Sequence, residues 1–225
     1  KKLFLPVRPL VVGGDDVIVL CHASYAFQFV QEACQVFETE TRKRNEETRK
    51  KKGYDLWPAT GGKLSISAGI LFCPVTLPLA TAVPYAESLL ASAKGKGRQA
   101  KPQDNHPAPP CIDWEQVTES VLDHPALRRQ RDFRFLDGDT NFIVELTRRP
   151  YTLDEFQQLQ LLAQTYASIP GSIRHQVLPS LRSGFHDRQV WRARLGKRAQ
   201  SLGKLVEDLE EKFQNGTFQN SGRWK

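Results

Sequence analysis

The sequence predicts an α+β fold: residues 1–115 form an antiparallel sheet covered by helices, and residues 116–225 form a mostly α-helical C-terminal region. Three observations carry this expectation. Two short β-branched runs, Arg8 to Val12 and Val17 to Cys21, flank Gly13-Gly14-Asp15-Asp16, which is the pattern of a hairpin with a tight acidic tip. Apolar residues then recur at helical spacing after Tyr25 and again after Thr81, giving two helices to cover the sheet. Beyond Trp114 helical periodicity dominates and strands become rare.

In the first helix Phe29, Val30, Ala33, Cys34, Val36 and Phe37 define the apolar stripe, with Ser24 as the expected N-cap. The helix fades into the mixed-charge run Thr41 to Lys52, which reads as a solvated helix end or loop, with nucleic-acid contact as the alternative. After the Gly61-Gly62 turn, Leu64, Ile66, Ala68 and Ile70 alternate with Ser65, Ser67 and Gly69, predicting a strand. The second helix, Thr81 to Lys94, presents Ala86, Leu89, Leu90 and Ala93 on one face, and Pro84 is tolerable only in its first turn. Gly95 to Pro110 reads as a flexible connector and Cys111 to Trp114 as a short edge strand. Trp114 to Leu122, Leu153 to Ala167, Ser172 to Leu181 and Arg188 to Phe213 read as helices, and Phe142 to Leu146 as one short strand among them.

The bulk properties bound the function without selecting it. The 225-residue chain is 40% hydrophobic with a net charge of +7 and pI near 9.3, which fits a globular protein favouring phosphate-bearing partners such as nucleotides or RNA. The apolar stretch Ile70 to Val83 is broken by Pro74 and Pro78 and the N-terminus carries no secretory pattern, so a cytoplasmic location without membrane insertion is expected. Cys21, Cys34, Cys73 and Cys111 lack any CxxC pairing and read as reduced thiols, with a disulfide or zinc site as the lesser alternative. The five histidines form no HxxxH pair. The chain has no methionine, even at Lys1, so it is expected to be the later part of a longer protein.

The tip of the hairpin carries the chemistry. Joining nucleotides requires a hydroxyl to attack an α-phosphate in line while divalent cations shield the attacking and leaving oxygens, so carboxylates must converge. Glycines permit positive φ and let a triphosphate approach the backbone. Adjacent carboxylates are hard oxygen ligands suited to Mg²⁺ or Mn²⁺. As an isolated string, however, the four residues are more often an ordinary hairpin turn than a metal site.

The order of elements supplies the context: strand, Gly13-Gly14-Asp15-Asp16, strand, long helix, a strand with Ser67-Ala68-Gly69-Ile70, a helix, and then Ala93-Lys94-Gly95-Lys96-Gly97-Arg98. This order resembles the palm of GGDEF-type nucleotide cyclases. The run Leu5-Pro6-Val7-Arg8-Pro9-Leu10-Val11-Val12 entering the turn most resembles the second palm domain of the CRISPR-associated type III large subunit, over roughly residues 5 to 115. A looser likeness continues through Arg149-Pro150-Tyr151-Thr152-Leu153.

The resemblance implies a ferredoxin-like palm and a nucleotidyltransferase or cyclase that makes cyclic oligonucleotides from ATP as an antiviral defence signal. It implies Asp15 and Asp16 as the catalytic, metal-holding pair for Mg²⁺ or Mn²⁺, and Gly13 and Gly14 along the nucleotide. Lys94 would neutralise triphosphate charge, although a lysine there also suits a helix end. Ser67 and Gly69 would bring a strand close to base or ribose, or else mark tight packing. Asp16 and Val17 stand where diguanylate cyclases carry Glu and Phe, which argues against cyclic di-GMP as the product. The implied partners are a nucleoside triphosphate, RNA or effector-complex subunits, and an upstream segment or second chain that completes the palm, because no acidic residue precedes Asp15. A noncatalytic scaffold or nucleotide-sensing module in such a complex is the alternative.

Overall fold

The computed structural model describes residues 6–14, 16–100, 106–118, 123–137 and 143–168, together with 171, 172, 174, 175, 179, 189, 190 and 193. The elements are β1 (Val7–Gly13), β2 (Asp16–Cys21), α1 (Ala26–Lys52), β3 (Ala68–Phe72), α2 (Leu79–Gln99), β4 (Cys111–Gln116), α3 (Pro125–Phe133), β5 (Arg134–Leu136), β6 (Ile143–Glu145), β7 (Tyr151–Thr152) and α4 (Leu153–Ala167). The fold is α+β and palm-like, with antiparallel pairing in the hairpin β1-β2. No helix among the described residues is long and apolar enough to cross a membrane.

Two compact units divide the chain. One comprises Lys1–Leu127 with Arg148–Phe156, and the other Arg128–Thr147 with Gln157–Lys225. In the first, β1 and β2 form a two-stranded sheet of their own, while β4 lies between β3 and β7 in a three-stranded sheet. The expected edge strand at Cys111 to Trp114 is therefore central. It pairs in parallel with β3 and antiparallel with β7. Asp113 and Glu115 make this strand look polar in sequence, yet both are buried.

Alternation sorts the sheet into two faces. Gly69 and Leu71 face α2: Leu71 packs on the cluster of Leu77, Tyr85, Leu89 and Val117. Phe72 and Trp114 face the other way, where Phe27 of α1 lies with ring centroids 5.1 and 5.5 Å away, and Phe156 of α4 closes the group at 4.9 Å from Phe27. The two long helices thus cover opposite faces of this sheet, with an aromatic cluster on one and a mostly aliphatic cluster, joined by Tyr85, on the other. Tilted and edge-on ring pairs of this kind contribute about 0.5–1.5 kcal/mol each beyond area burial.

Local chemistry explains where element ends depart from expectation. Ser24 is not the cap of α1. It lies in a 3₁₀ turn, Ala23–Tyr25, whose cap is His22, with Nδ1 accepting from the Ser24 N–H. The charged run continues α1 as regular helix to Lys52, and Gly53 ends it at φ 77°, a left-handed conformation that favours glycine. Leu64 to Ser67 do not join β3, because their backbone is served elsewhere. Leu64 N–H donates to Thr41 Oγ1 at 3.1 Å and Ile66 C=O accepts from Cys34 Sγ, while the Ser65 side chain anchors the segment by donating from Oγ to Ala108 C=O. Residues Gly95 to Gln99, expected in a flexible connector, extend α2 by a turn. Pro84 sits inside α2 rather than in its first turn.

The run Arg149 to Leu153 returns the chain to this sheet. Thr152 and Glu155 form a reciprocal cap at the start of α4: Thr152 N–H donates to Glu155 Oε2 at 2.8 Å, and Glu155 N–H to Thr152 Oγ1 at 3.3 Å. Leu153 to Ala167 is helical as its periodicity predicts. In the second unit, β5 and β6 pair antiparallel around buried Val144, so the strand expected at Phe142 to Leu146 is present at Ile143–Glu145. Trp114 to Gln116 belong to β4 rather than to a helix. The described positions of Ser172 to Leu181 are helical, and most of Arg188 to Phe213 lies outside the described residues.

Candidate active site at the hairpin tip

The hairpin is shaped by two backbone requirements. Pro9 cannot donate to a ladder, and the register shifts between Pro9 and Val11 so that Leu10 bulges out. Pairing then resumes in register to Gly13↔Asp16 at the tip. Gly14 turns the chain at φ +60°, where a side chain would be strained. Gly13, Gly14 and Asp16 are exposed, and open space surrounds the position of a Cβ on either glycine. Asp15 lies outside the described residues. The described part of the tip is a bare glycine backbone beside a solvent-facing carboxylate, a shape that admits an anionic ligand and leaves oxygen donors free.

The remaining predicted site residues are placed by the second sheet. Ser67 immediately precedes β3, and its Oγ accepts from Cys111 N–H at 3.2 Å. Gly69 lies in β3, where a Cβ would overlap the Ala86 carbonyl oxygen and the Leu90 amide nitrogen. Its lack of a side chain is what lets α2 lie directly on the strand. Lys94 is exposed on α2, a full turn before the helix ends at Gln99, so it is not a helix-end lysine. Its neighbour Lys96 is paired with Glu155 at 3.6 Å. Gly13, Gly14 and Asp16 come together at the tip, while Ser67 and Gly69 come together at the start of β3, in a different sheet.

The donor chemistry of the tip suits a hard divalent cation, since a carboxylate offers compact anionic oxygens. The donor number is small: among the described residues no three His, Cys, Asp or Glu side chains gather in one place. The buried carboxylates of this unit lie elsewhere, Glu115 paired with Arg149 and Asp113 in the layer under α2. The four cysteines are free thiols. Burial pushes Cys34 and Cys111 up to about 11, so neither is a thiolate at neutral pH.

Sequence reasoning missed Gly97 and Arg149. Gly97 is buried, and a Cβ there would stand 3.1 Å from the Pro109 carbonyl oxygen, so the glycine of Ala93-Lys94-Gly95-Lys96-Gly97-Arg98 serves packing. Its recurrence in that motif was the available signal. Arg149 donates to Trp114 C=O at 2.6 Å and lies 5.7 Å from the Trp114 ring centre. Only the Arg-Pro-Tyr-Thr-Leu run hinted at it.

With the exposed Gly-Gly-Asp turn and the β3-α2 layer in place, the comparison with known families is decisive for this segment. Residues 7–101 match the family model described as Cas10/Cmr2, second palm domain. Over this segment the chain is similar to a palm domain of that kind. The match spans β1 through α2, which are the elements that carry the tip, Ser67, Gly69 and Lys94. It relates the palm to the large subunit of CRISPR-associated type III effector complexes. No curated protein matches the chain.

Proposed function

We propose that the palm is a metal-dependent nucleotidyltransferase that makes cyclic nucleotides or cyclic oligonucleotides, with ATP as the favoured substrate and the product serving as an antiviral signal. The observation that carries this reading is the open Gly13-Gly14 turn entering Asp16 at the tip of an antiparallel hairpin. Asp15 and Asp16 would hold Mg²⁺ or Mn²⁺, whose contribution when bound is to shield the charge at the attacking and leaving oxygens. Gly13 and Gly14 let the triphosphate lie against the backbone, because no side chain among the described residues stands over either glycine. Lys94, exposed and unpaired among the described residues, offers a cation to the phosphates. Ser67 keeps a hydroxyl hydrogen to donate toward ribose or base.

The palm works in an effector complex and takes a further strand and carboxylate from an upstream segment or a second chain. Support comes from the apolar surface of the hairpin, where Val12 and Val17 are 73% and 64% exposed, and from the outer edge of β3, which pairs with no strand among the described residues. Such surfaces are unfavourable in isolation.

Incubating the protein in its assembly with each radiolabelled NTP and Mn²⁺ or Mg²⁺, then identifying products by mass spectrometry, tests the reading. A cyclic adenylate product is expected. Nucleotide binding without turnover, in an assembly proved intact, would instead assign the palm as a nucleotide-sensing scaffold. That second reading is favoured by the shortage of gathered carboxylates among the described residues.

A further inference from the structure

The far end of α1 carries a second feature, independent of the hairpin tip. Residues 42–63 hold eight Lys and Arg against Glu46, Glu47 and Asp55, a surplus of five in a chain whose net charge is +7. Lys43 and Lys63 are neutralised by Glu40 and Glu38, each at 2.7 Å. Arg49, Lys50, Lys51 and Lys52 make no ion pair among the described residues. Helix-dipole compensation accounts for a cation or two in a last turn. Four consecutive ones, about 100° apart around the axis, ring the helix end completely.

The loop that follows is built rather than loose. Asn45 is a polar residue on a highly charged helix, yet it is only 6% exposed. Its Oδ1 accepts from Leu56 N–H at 2.6 Å and its Nδ2 donates to Asp55 Oδ1 at 3.0 Å. Gly62, at φ +79°, lies so close over Asn45 that a Cβ would overlap the amide. Trp57 C=O gathers the N–H groups of Thr60 and Gly62 at 3.2 and 2.9 Å. The loop so fixed presents Tyr54, 51% exposed, and Trp57, which is partly exposed. Neither ring stacks on another aromatic side chain among the described residues.

We infer that this end of α1 and the loop of residues 53–62 form a docking surface for single-stranded nucleic acid. Cations that are not used internally attract the phosphate backbone, and rings held on a rigid loop stack on bases that a single strand leaves open and a duplex hides. An acidic protein surface would use the cations but would have no need of the rings.

The test is fluorescence anisotropy of the whole protein with labelled RNA, DNA and duplex of about 15 nucleotides, a length that spans a single site of this type. Single strands are expected to bind roughly tenfold tighter than duplex. Replacing Arg49, Lys50, Lys51 and Lys52 by Gln should weaken binding and flatten the salt dependence by up to about three units of slope, at roughly 0.7 per phosphate contact. Tyr54→Ala with Trp57→Ala should weaken single-strand binding about thirtyfold or more and leave the salt slope unchanged, and Trp57→Phe in place of Trp57→Ala should restore much of it. Asn45→Ala, which alters no charge, should weaken it by freeing the loop. A preference for RNA over DNA would show that the 2′-hydroxyl is read, and equal binding that backbone and bases suffice. Duplex binding as tight as single-strand binding, or ring variants that bind like the parent, would overturn the proposal. Wild-type affinity in the Gln variant would overturn it as well.

Discussion

Arg149 and Glu115 form an ion pair inside the palm unit, Nη1 to Oε1 3.4 Å, with side chains only 7% and 6% exposed. Arg149 also donates to the Trp114 carbonyl, so one guanidinium clamps β4 at two successive residues. Removing one partner leaves a buried charge unmatched and costs about 3–5 kcal/mol. Either Arg149→Met or Glu115→Leu is expected to lower the denaturant midpoint sharply. The two together should recover most of the loss, which a double-mutant cycle would measure.

Gly69→Ala is expected to destabilise the protein by about 1–3 kcal/mol, because the added methyl meets helix backbone rather than a movable side chain. Urea unfolding without nucleotide reads the effect. A variant as stable as the parent would mean that β3 and α2 separate more easily than their contact implies.

Asp15→Asn with Asp16→Asn is expected to abolish product formation while leaving stability within about 0.5 kcal/mol, since Asp16 is exposed and supports no packing. Product analysis and thermal unfolding of the same preparation check both halves. Turnover by the double variant at the parental rate would remove the carboxylates from the proposed chemistry.

The buried thiols give a pH signature. Burial raises Cys34 and Cys111 from 9.0 to about 11, so the unfolded chain loses these protons before the folded one does. Their contribution to stability is therefore complete below pH 9 and is lost as pH rises from 9 towards 11. Cys34→Ala should flatten the stability profile in that window, as followed by urea unfolding. In native protein at pH 8, exposed Cys73 should react first with a thiol reagent, while Cys34 and Cys111 should react only after unfolding.

The features legible in the sequence are those with short-range causes. The stripe from Phe29 to Phe37 announced α1, and the Gly-Gly-Asp-Asp turn between β-branched runs announced β1 and β2. What escaped depends on partners far along the chain. Leu64 and Ile66 alternate like a strand, but the α1 side chains Thr41 and Cys34 take up their hydrogen bonds. Gly95 and Gly97 suggested a break, and instead Gly97 lets α2 continue close to Pro109 and Cys111. Cys111 to Gln116 reads as half-polar because the groups that justify burying Glu115 come from Arg149, 34 residues later. At the candidate site, the Gly13-Asp16 pairing followed from the local pattern. The packing of Gly69 against α2 required the third dimension.

The palm unit is assembled from two stretches of chain, Lys1–Leu127 and Arg148–Phe156, with residues 128–147 intervening. During synthesis the first stretch leaves the ribosome without Tyr151 to lie on Trp114 or Phe156 to meet Phe27. The sheet must wait, one strand short and with its aromatic face open to water, until residue 156 emerges. For the same reason an expression fragment ending at residue 127 would part the palm from its own core, and one ending after α4 would keep that core whole.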